Sequence, residues 1–366
     1  MSRYILLLLS AFFITFFTPA TAQEKTPADS LALFQEVKKQ YQAYEKKHGH
    51  YIQTPNVKMH YLKWENPGGV PLVWNHGGGM TGYEILPFVD DLLAMGFEVY
   101  APDCYYHGKS INEKKDVSIY HYADDISAMM KENKIEKAII GGFSQGGFIS
   151  TVFYDVYPEK VLGLVLLDGG TGSVQKVYMH ENDEELNEWA EKIRGLKWPN
   201  EHLFSTEYEA WLFFQNKYFK SNVGVINEDI DHNLLDMMSF GFMQQVDKQW
   251  ALNYSIIKAF GPFSGMGQVV KRPWEGSVFF WSAMGIIPSV IFRNLDIPLF
   301  IIDPQMEGKM PDYHLENKEL ASDYPELVVH SVYNHSGHAG HYFQPERFLA
   351  DVEEFLGKVK AHHGLK

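Results

Sequence analysis

One cysteine, Cys104, stands in a chain of 366 residues, so no disulfide can form within it, whatever its compartment. No helix start or basic group in the neighbouring sequence lowers that thiol's pKa, and it reads as a small packed residue rather than a nucleophile. Positive charge is also short. The 32 Lys and Arg face 46 Asp and Glu, a net charge of −14, which argues against a nucleic-acid partner, whose backbone needs clustered cations. The acidic excess reads as a solvated surface. The stretch between Gly170 and Ile297 carries no internal repeat. The longest apolar run, Tyr4 to Phe17, is too short for a comfortable membrane span. With Arg3 before it and Ala20-Thr21-Ala22 after it, it predicts an export signal over residues 1–22, cleaved before Gln23, and hence a periplasmic or secreted protein. No cysteine follows the run, so a lipoprotein anchor is not supported.

What is present is a large apolar complement, 45% of residues, enough for a sizeable core. Residues 24–50, with Leu31, Phe34 and Val37 at helical spacing, predict a surface helix leading into the domain. Thereafter strands and helices alternate. Strands are expected at Val57–Trp64, Val70–Asn75, Phe97–Ala101, Lys137–Gly141 and Val161–Leu167. Helices are expected at Glu84–Met95, Ile119–Glu132 and Gly146–Val156. This is the pattern of an α/β fold with a mostly parallel sheet covered by helices on both faces. The alternation stops near Gly170 and resumes near Ile297, with strands at Leu299–Ile302 and Leu327–Val332 and a closing helix at Phe348–Val359. The core is therefore expected at 23–170 and 296–366, with a mainly helical lid inserted at 171–295.

The lid stretch holds Trp189, Trp198, Trp211, Trp250, Trp274 and Trp281. Most of its aromatics are expected to pack its own core. Val278 to Phe292 carries no charge and is broken by Pro288. It predicts a helix buried between lid and core, with an apolar face lining an acyl pocket as the sharper alternative; membrane contact is not favoured.

Three motifs carry chemistry. Gly142-Phe143-Ser144-Gln145-Gly146 follows an apolar strand and opens a helix, which is the setting of a nucleophile elbow. The turn presents Ser144 to a base, and the helix start places the Gln145 N–H where negative charge develops. His76-Gly77-Gly78-Gly79 follows another strand and offers backbone donors to an oxyanion, with Gly78 favoured and Gly79 the alternative. Gly337-His338-Ala339-Gly340-His341 follows the last strand and places a histidine where it can meet the serine. His335, His338 and His341 are spaced by three, but the carboxylate and helical frame of a H-E-x-x-H zinc site are absent. No metal or organic cofactor is expected.

These motifs, in this order, resemble the α/β-hydrolase superfamily over nearly the whole chain outside the signal and the lid. Pro102-Asp103-Cys104-Tyr105-Tyr106-His107-Gly108-Lys109-Ser110 is similar to the family's P-D-x-R-G-H-G-x-S segment, with Tyr105-Tyr106 replacing Arg-Gly and altering the pocket wall. Gln344-Pro345-Glu346-Arg347-Phe348 is similar to the start of the family's last helix and singles out His338 as the base. The resemblance implies a triad acid after the strand Leu299–Ile302. Registering Pro298 and Pro311 puts Glu307 there, with Asp303 and Asp168 as alternatives. The implied activity is a serine hydrolase that cleaves a carboxylic ester or lactone of a hydrophobic small molecule through an acyl-enzyme. Carbon–carbon bond hydrolysis, amidase or aminopeptidase activity on the same triad, or ligand binding without turnover, are the alternatives. Oligomeric state is not legible.

Overall fold

The computed structural model describes residues 27–110, 116–173, 184, 203–215, 232–252, 278–305 and 313–365. Its centre is an eight-stranded sheet. The strands are β1 (Gly49–Gln53), β2 (Lys58–Trp64), β3 (Val70–Asn75), β4 (Phe97–Pro102), β5 (Ala138–Phe143), β6 (Val161–Leu167), β9 (Leu299–Gln305) and β10 (Val328–Asn334). Their order is β1-β2-β4-β3-β5-β6-β9-β10. Strand β2 runs antiparallel to both neighbours, and every other pairing is parallel. Residues of β5 and β6 are buried throughout, as expected of central strands covered on both faces. The edge strand β1 has no counterpart in the sequence reading. Only Ile52 of its GHYIQ text is strongly apolar, and partnership with β2 makes it a strand.

The helices follow from apolar spacing and caps. Helix α1 spans Pro27–His48, α2 Val89–Met95, α3 Ile119–Glu132 and α4 Gln145–Val156. In α3, Ile119, Tyr122, Ala123, Ile126, Met129 and Met130 are buried, a continuous stripe at spacings of three and four. Its start is fixed by Ser118, whose Oγ accepts from the His121 N–H while His121 Nδ1 accepts from the Ser118 N–H. The helix expected over Glu84–Met95 is instead a tight turn of 3-10 helix at Gly82–Phe88 followed by α2. Pro87 within it cannot continue an α-helical hydrogen-bond ladder.

Helix α1 is more than a surface helix. Phe34, Val37 and Tyr41 are buried. The rings of Phe34 and Tyr41 lie 5.7 and 5.1 Å from Phe240, on α6 (His232–Phe242), and Phe34 lies 5.6 Å from Trp211, on α5 (Glu207–Phe213). One turn further along α1, Glu45 reaches the sheet. It accepts from His60 Nε2 at 2.5 Å, from the Tyr83 hydroxyl, and from Lys109 Nζ at 3.1 Å. His60 Nδ1 donates to Asp103 at 2.7 Å.

The segment 171–295 is described in part. Trp189, Trp198 and Trp274 lie outside the described residues, as does the expected export signal. What is described is not wholly helical. Met243–Val246 (β7) and Gln249–Leu252 (β8) form an antiparallel hairpin, with Trp250 bridged to Phe204. Helix α7 (Val278–Met284) lies on the core. Phe279 is buried with its ring 5.3 Å from Tyr105 and 6.2 Å from Tyr122, and Ser282 Oγ accepts from the Ile119 N–H at 2.8 Å. Beyond it Ile286 is buried, whereas Ile287 and Val290 are exposed.

Candidate active site

Strand β5 ends at Phe143 and α4 begins at Gln145, leaving Ser144 alone to turn the chain. Its φ of 53° and ψ of −114° are a conformation that L-residues adopt only when their surroundings enforce it. The enforcement is visible at the flanking glycines. A Cβ on Gly146 would lie 1.8 Å from the Asn75 carbonyl oxygen, and one on Gly142 would lie 2.4 Å from the Gly146 backbone. The Ser144 N–H is tied to Leu167 O at 2.8 Å. Because Gln145 opens α4, its N–H has no partner within the helix and stands at the positive end of the helix dipole.

The neighbouring strand supplies a carboxylate. Asp168, at the end of β6, is a second non-glycine residue with positive φ, 48°. Gly169 follows it, so close to the serine turn that a Cβ there would meet Ser144 O at 2.2 Å. Asp168 Oδ2 accepts from His338 Nδ1 at 2.5 Å. The carboxylate is nearly buried, at 3% side-chain exposure, while the imidazole keeps 23%. The His338 ring packs 4.7 Å from Phe143, the residue before the serine. Ser144, Asp168 and His338 are thus gathered where β5 and β6 end beside the loop after β10.

Glu307, the acid expected from the double-proline register, lies outside the described residues. The position expected of it beside His338 Nδ1 is taken by Asp168. Asp303 is committed elsewhere: its Oδ2 lies 2.8 Å from His314 Nδ1 and 2.9 Å from His330 Nε2. The three histidines spaced by three do not converge. His335 is exposed, His338 pairs with Asp168, and His341 is buried with Nε2 3.2 Å from Glu84 Oε1.

The glycine loop after β3 sorts its own donors. Gly77 N–H donates to Glu84 Oε2 at 2.7 Å, and Gly79 N–H donates to His107 Nε2 at 2.9 Å. Between them, the Gly78 N–H takes no partner among the described residues. Gly79, the alternative donor, is therefore engaged with His107. Two neutral histidines hold this arrangement. His76 Nδ1–H donates to Gly77 O at 2.8 Å and its Nε2 accepts from the Cys104 N–H at 2.9 Å. His107 Nδ1–H donates to Tyr105 O at 2.7 Å. Burial lowers the pKa of His76. Burial, reinforced by His76, lowers that of His107 to about 3, so His107 Nε2 carries a lone pair for Gly79. The sequence predicts neither the part played by Glu84 nor the bracing role of His107. His107 sits in a recognisable motif, but Glu84 has no sequence signal beyond its place in an expected helix. Cys104 is buried, burial pushes its thiol pKa well up, and Gln145 Nε2 approaches its sulfur at 3.6 Å. It is a packed residue, as expected.

The family model described as alpha/beta hydrolase fold matches residues 70–197, the stretch that carries the glycine loop, the elbow and Asp168. The chain has the α/β-hydrolase fold. Solved structures with this α/β-hydrolase architecture agree. Carboxylesterase CesB from Bacillus subtilis superposes with a TM-score of 0.56 at 17% identity, over 89% of this chain and 98% of the other. An esterase from Thermogutta terrifontis gives 0.54 at 18% identity, over 85% and 98%. E-2-(acetamidomethylene)succinate hydrolase gives 0.57 at 14% identity, over 84% and 98%. Among curated proteins, an uncharacterized protein of Mycobacterium bovis is 35% identical over 78 residues, 21% of this chain and 23% of the relative. The match thus spans less than a quarter of that relative's length.

Proposed function

We propose that this α/β-hydrolase is an exported serine hydrolase that cleaves carboxylic esters or lactones of hydrophobic small molecules through an acyl-enzyme. The observation that carries the reading is the Asp168–His338 pair held beside an elbow serine of enforced backbone geometry. In this mechanism His338 Nδ1–H is fixed by the Asp168 carboxylate, so Nε2 is the nitrogen that takes the Ser144 proton. Ser144 Oγ bonds to the substrate carbonyl carbon, and the electron pair of the C=O moves onto its oxygen. The Gln145 and Gly78 N–H groups stabilise that oxyanion. Its collapse expels the alcohol, which takes the proton from His338. Water, deprotonated by His338, then releases the acid and restores Ser144. Asp168 replaces Glu307 as the acid in this proposal.

The hydrophobic substrate class is supported by the apolar, aromatic composition of residues 171–295. Residues 171–295 are proposed as the lid over the site. Export is supported by residues 1–22 alone, and N-terminal sequencing of the native protein, expected to begin at Gln23, tests it. Among the described residues no helix is long and apolar enough to cross a membrane.

The deciding experiment is turnover of aryl esters, lactones, amides and diketones by purified protein, with fluorophosphonate labelling of Ser144. Ester or lactone hydrolysis that is lost on labelling supports the reading. Turnover of amides or diketones alone would replace the substrate class, and failure to label or turn over any of them would overturn the enzyme.

A further inference from the structure

Asp303, His314 and His330 form a cluster in which neither the serine nor its base takes part. Strands β9 and β10 run parallel, with Ile301 paired to His330 and Asp303 paired to Val332. Residues two apart on a strand share a face, so Asp303 and His330 project from the same side of the sheet on a diagonal. The third member, His314, is the first residue of α8 (His314–Asp323), which crosses that face.

Both imidazoles converge on one oxygen. His314 Nδ1 lies 2.8 Å and His330 Nε2 lies 2.9 Å from Asp303 Oδ2. One nitrogen or oxygen from each of the three residues falls within 4.8 Å of the others. Asp303 is fully buried, His330 keeps 9% of its side-chain surface and His314 keeps 30%. The cluster is therefore closed on the sheet side and open to solvent at His314. Gln305 Nε2 donates to the other oxygen, Asp303 Oδ1, at 2.9 Å and lies 3.2 Å from His314 Nδ1; the first contact orients the carboxylate with Oδ2 toward the rings. A neighbour that orients a ligand in this way is a regular feature of metal sites.

We propose that Asp303, His314 and His330 bind one divalent transition-metal cation of the zinc type. Two imidazoles and a carboxylate suit zinc and its neighbours in the first transition series. Magnesium and calcium instead require oxygen-rich shells. Tetrahedral zinc, with bonds of about 2.0–2.1 Å, separates its ligand atoms by about 3.3 Å. Opening the two nitrogen–oxygen contacts to that spacing takes about half an ångström, within reach of side-chain torsions. In the metal-free protein each ring donates a proton toward Asp303. When the cation binds, that proton passes to the ring's other nitrogen or to solvent, and the freed lone pair forms the metal bond. Water at the open His314 side completes the shell.

The cation acts as a clip next to the proposed triad. Ile302, the residue before Asp303, accepts the Asp168 N–H at 3.1 Å. Tyr313, the residue before His314, is buried and packs directly on Gly172. Binding therefore ties β9, β10 and the start of α8 together at the strand end that supports Asp168.

The test uses the full chain, freed of any affinity tag and stripped with a chelator. Zinc chloride is titrated calorimetrically, cobalt(II) absorption reports geometry, and melting is followed with and without zinc. The expected result is one zinc per chain, a tetrahedral cobalt spectrum, a melting temperature raised by several degrees, and no effect of magnesium or calcium. His314→Gln, at a partly exposed helix start, and His330→Gln should each weaken zinc binding by about 100-fold or more and remove the melting shift. Absence of saturable one-to-one zinc binding by the wild type overturns the proposal. So does unchanged affinity in both folded variants. Neither result bears on esterase turnover, which is measured separately.

Discussion

Asp168 Oδ2 and His338 Nδ1 meet at 2.5 Å across 170 positions of chain, one at the end of β6 and the other in the loop after β10. In the proposed mechanism that carboxylate fixes the imidazole tautomer and stabilises the imidazolium formed during attack. Asp168→Asn is therefore expected to lower kcat for a p-nitrophenyl ester by about 10³- to 10⁴-fold. Glu307→Gln should leave kcat within about threefold of wild type, a change too small for a lost triad member. A crippled Glu307→Gln beside a mild Asp168→Asn would return the acid role to Glu307.

Ser144→Ala should abolish turnover and labelling while leaving a folded protein. Ser144 also stores strain at φ 53°, which a glycine relieves. Against the entropy glycine loses on folding, the net expectation is that Ser144→Gly is more stable than Ser144→Ala by about 1 kcal/mol. Urea unfolding of the two variants measures the difference. Equal midpoints would show that the turn carries no net strain, and full activity of either variant would remove Ser144 from the mechanism.

Gly146→Ala tests how the elbow is coupled to the oxyanion loop. Its Cβ would fall 1.8 Å from the Asn75 carbonyl oxygen, and Asn75 leads directly into His76–Gly79. Either α4 or the end of β3 must move. The expected outcome is a loss of kcat/KM of at least about 100-fold, the scale of a lost oxyanion donor, together with a lowered melting temperature. Wild-type kinetics in this variant would show that the two segments are not rigidly packed.

The Glu45–His60–Asp103 cluster gives a pH signature of stability. Burial opposes a charged His60, but Asp103 and then Glu45 outweigh it and raise its pKa to about 9. Against burial, His60 and Lys109 hold Glu45 at about 2, and His60 holds Asp103 below the usual carboxylate range. A raised histidine stabilises fully below its unfolded pKa of about 6.5, and that contribution is lost as pH rises through the folded value. The depressed carboxylates contribute above their unfolded values of about 4, and that contribution is lost as pH falls through the folded ones. The stability gap between wild type and His60→Gln should therefore be widest near pH 5–6 and shrink toward pH 9–10. Chemical denaturation of both proteins across this range is the measurement. A gap that grows with pH would show that His60 is neutral in the folded state. Lys109, Tyr41, Tyr51 and Tyr83 face the same cluster, so the comparison is best read as a difference between the two proteins.

Much of the fold was legible because it is written locally. Strands Val70–Asn75 and Val161–Leu167 and helix Ile119–Glu132 occur with the bounds their apolar periodicity predicts. Ser144 was legible because glycines are required on both sides of so tight a turn, and a required residue type leaves a trace in sequence. His338 was marked by the text that follows it. The acid of the proposed triad was not legible in the same way. A carboxylate needs only to end a strand near the imidazole, and Asp168, Asp303 and Glu307 all satisfy that in one dimension. Sheet order separates the two that are described. Asp168 leaves β6, next to the serine strand β5, whereas Asp303 on β9 is drawn to His314 and His330.

The sequence by itself determined an α/β layering, an elbow serine and a histidine after the last strand, because backbone sterics and hydrophobic periodicity act over a few residues. Only the tertiary structure decided which carboxylate meets that histidine, which N–H of the glycine loop takes no partner among the described residues, and that Asp303, His314 and His330 lie together. Those outcomes depend on strand order and on hydrogen-bond competition between residues distant in the chain, and no local pattern encodes either.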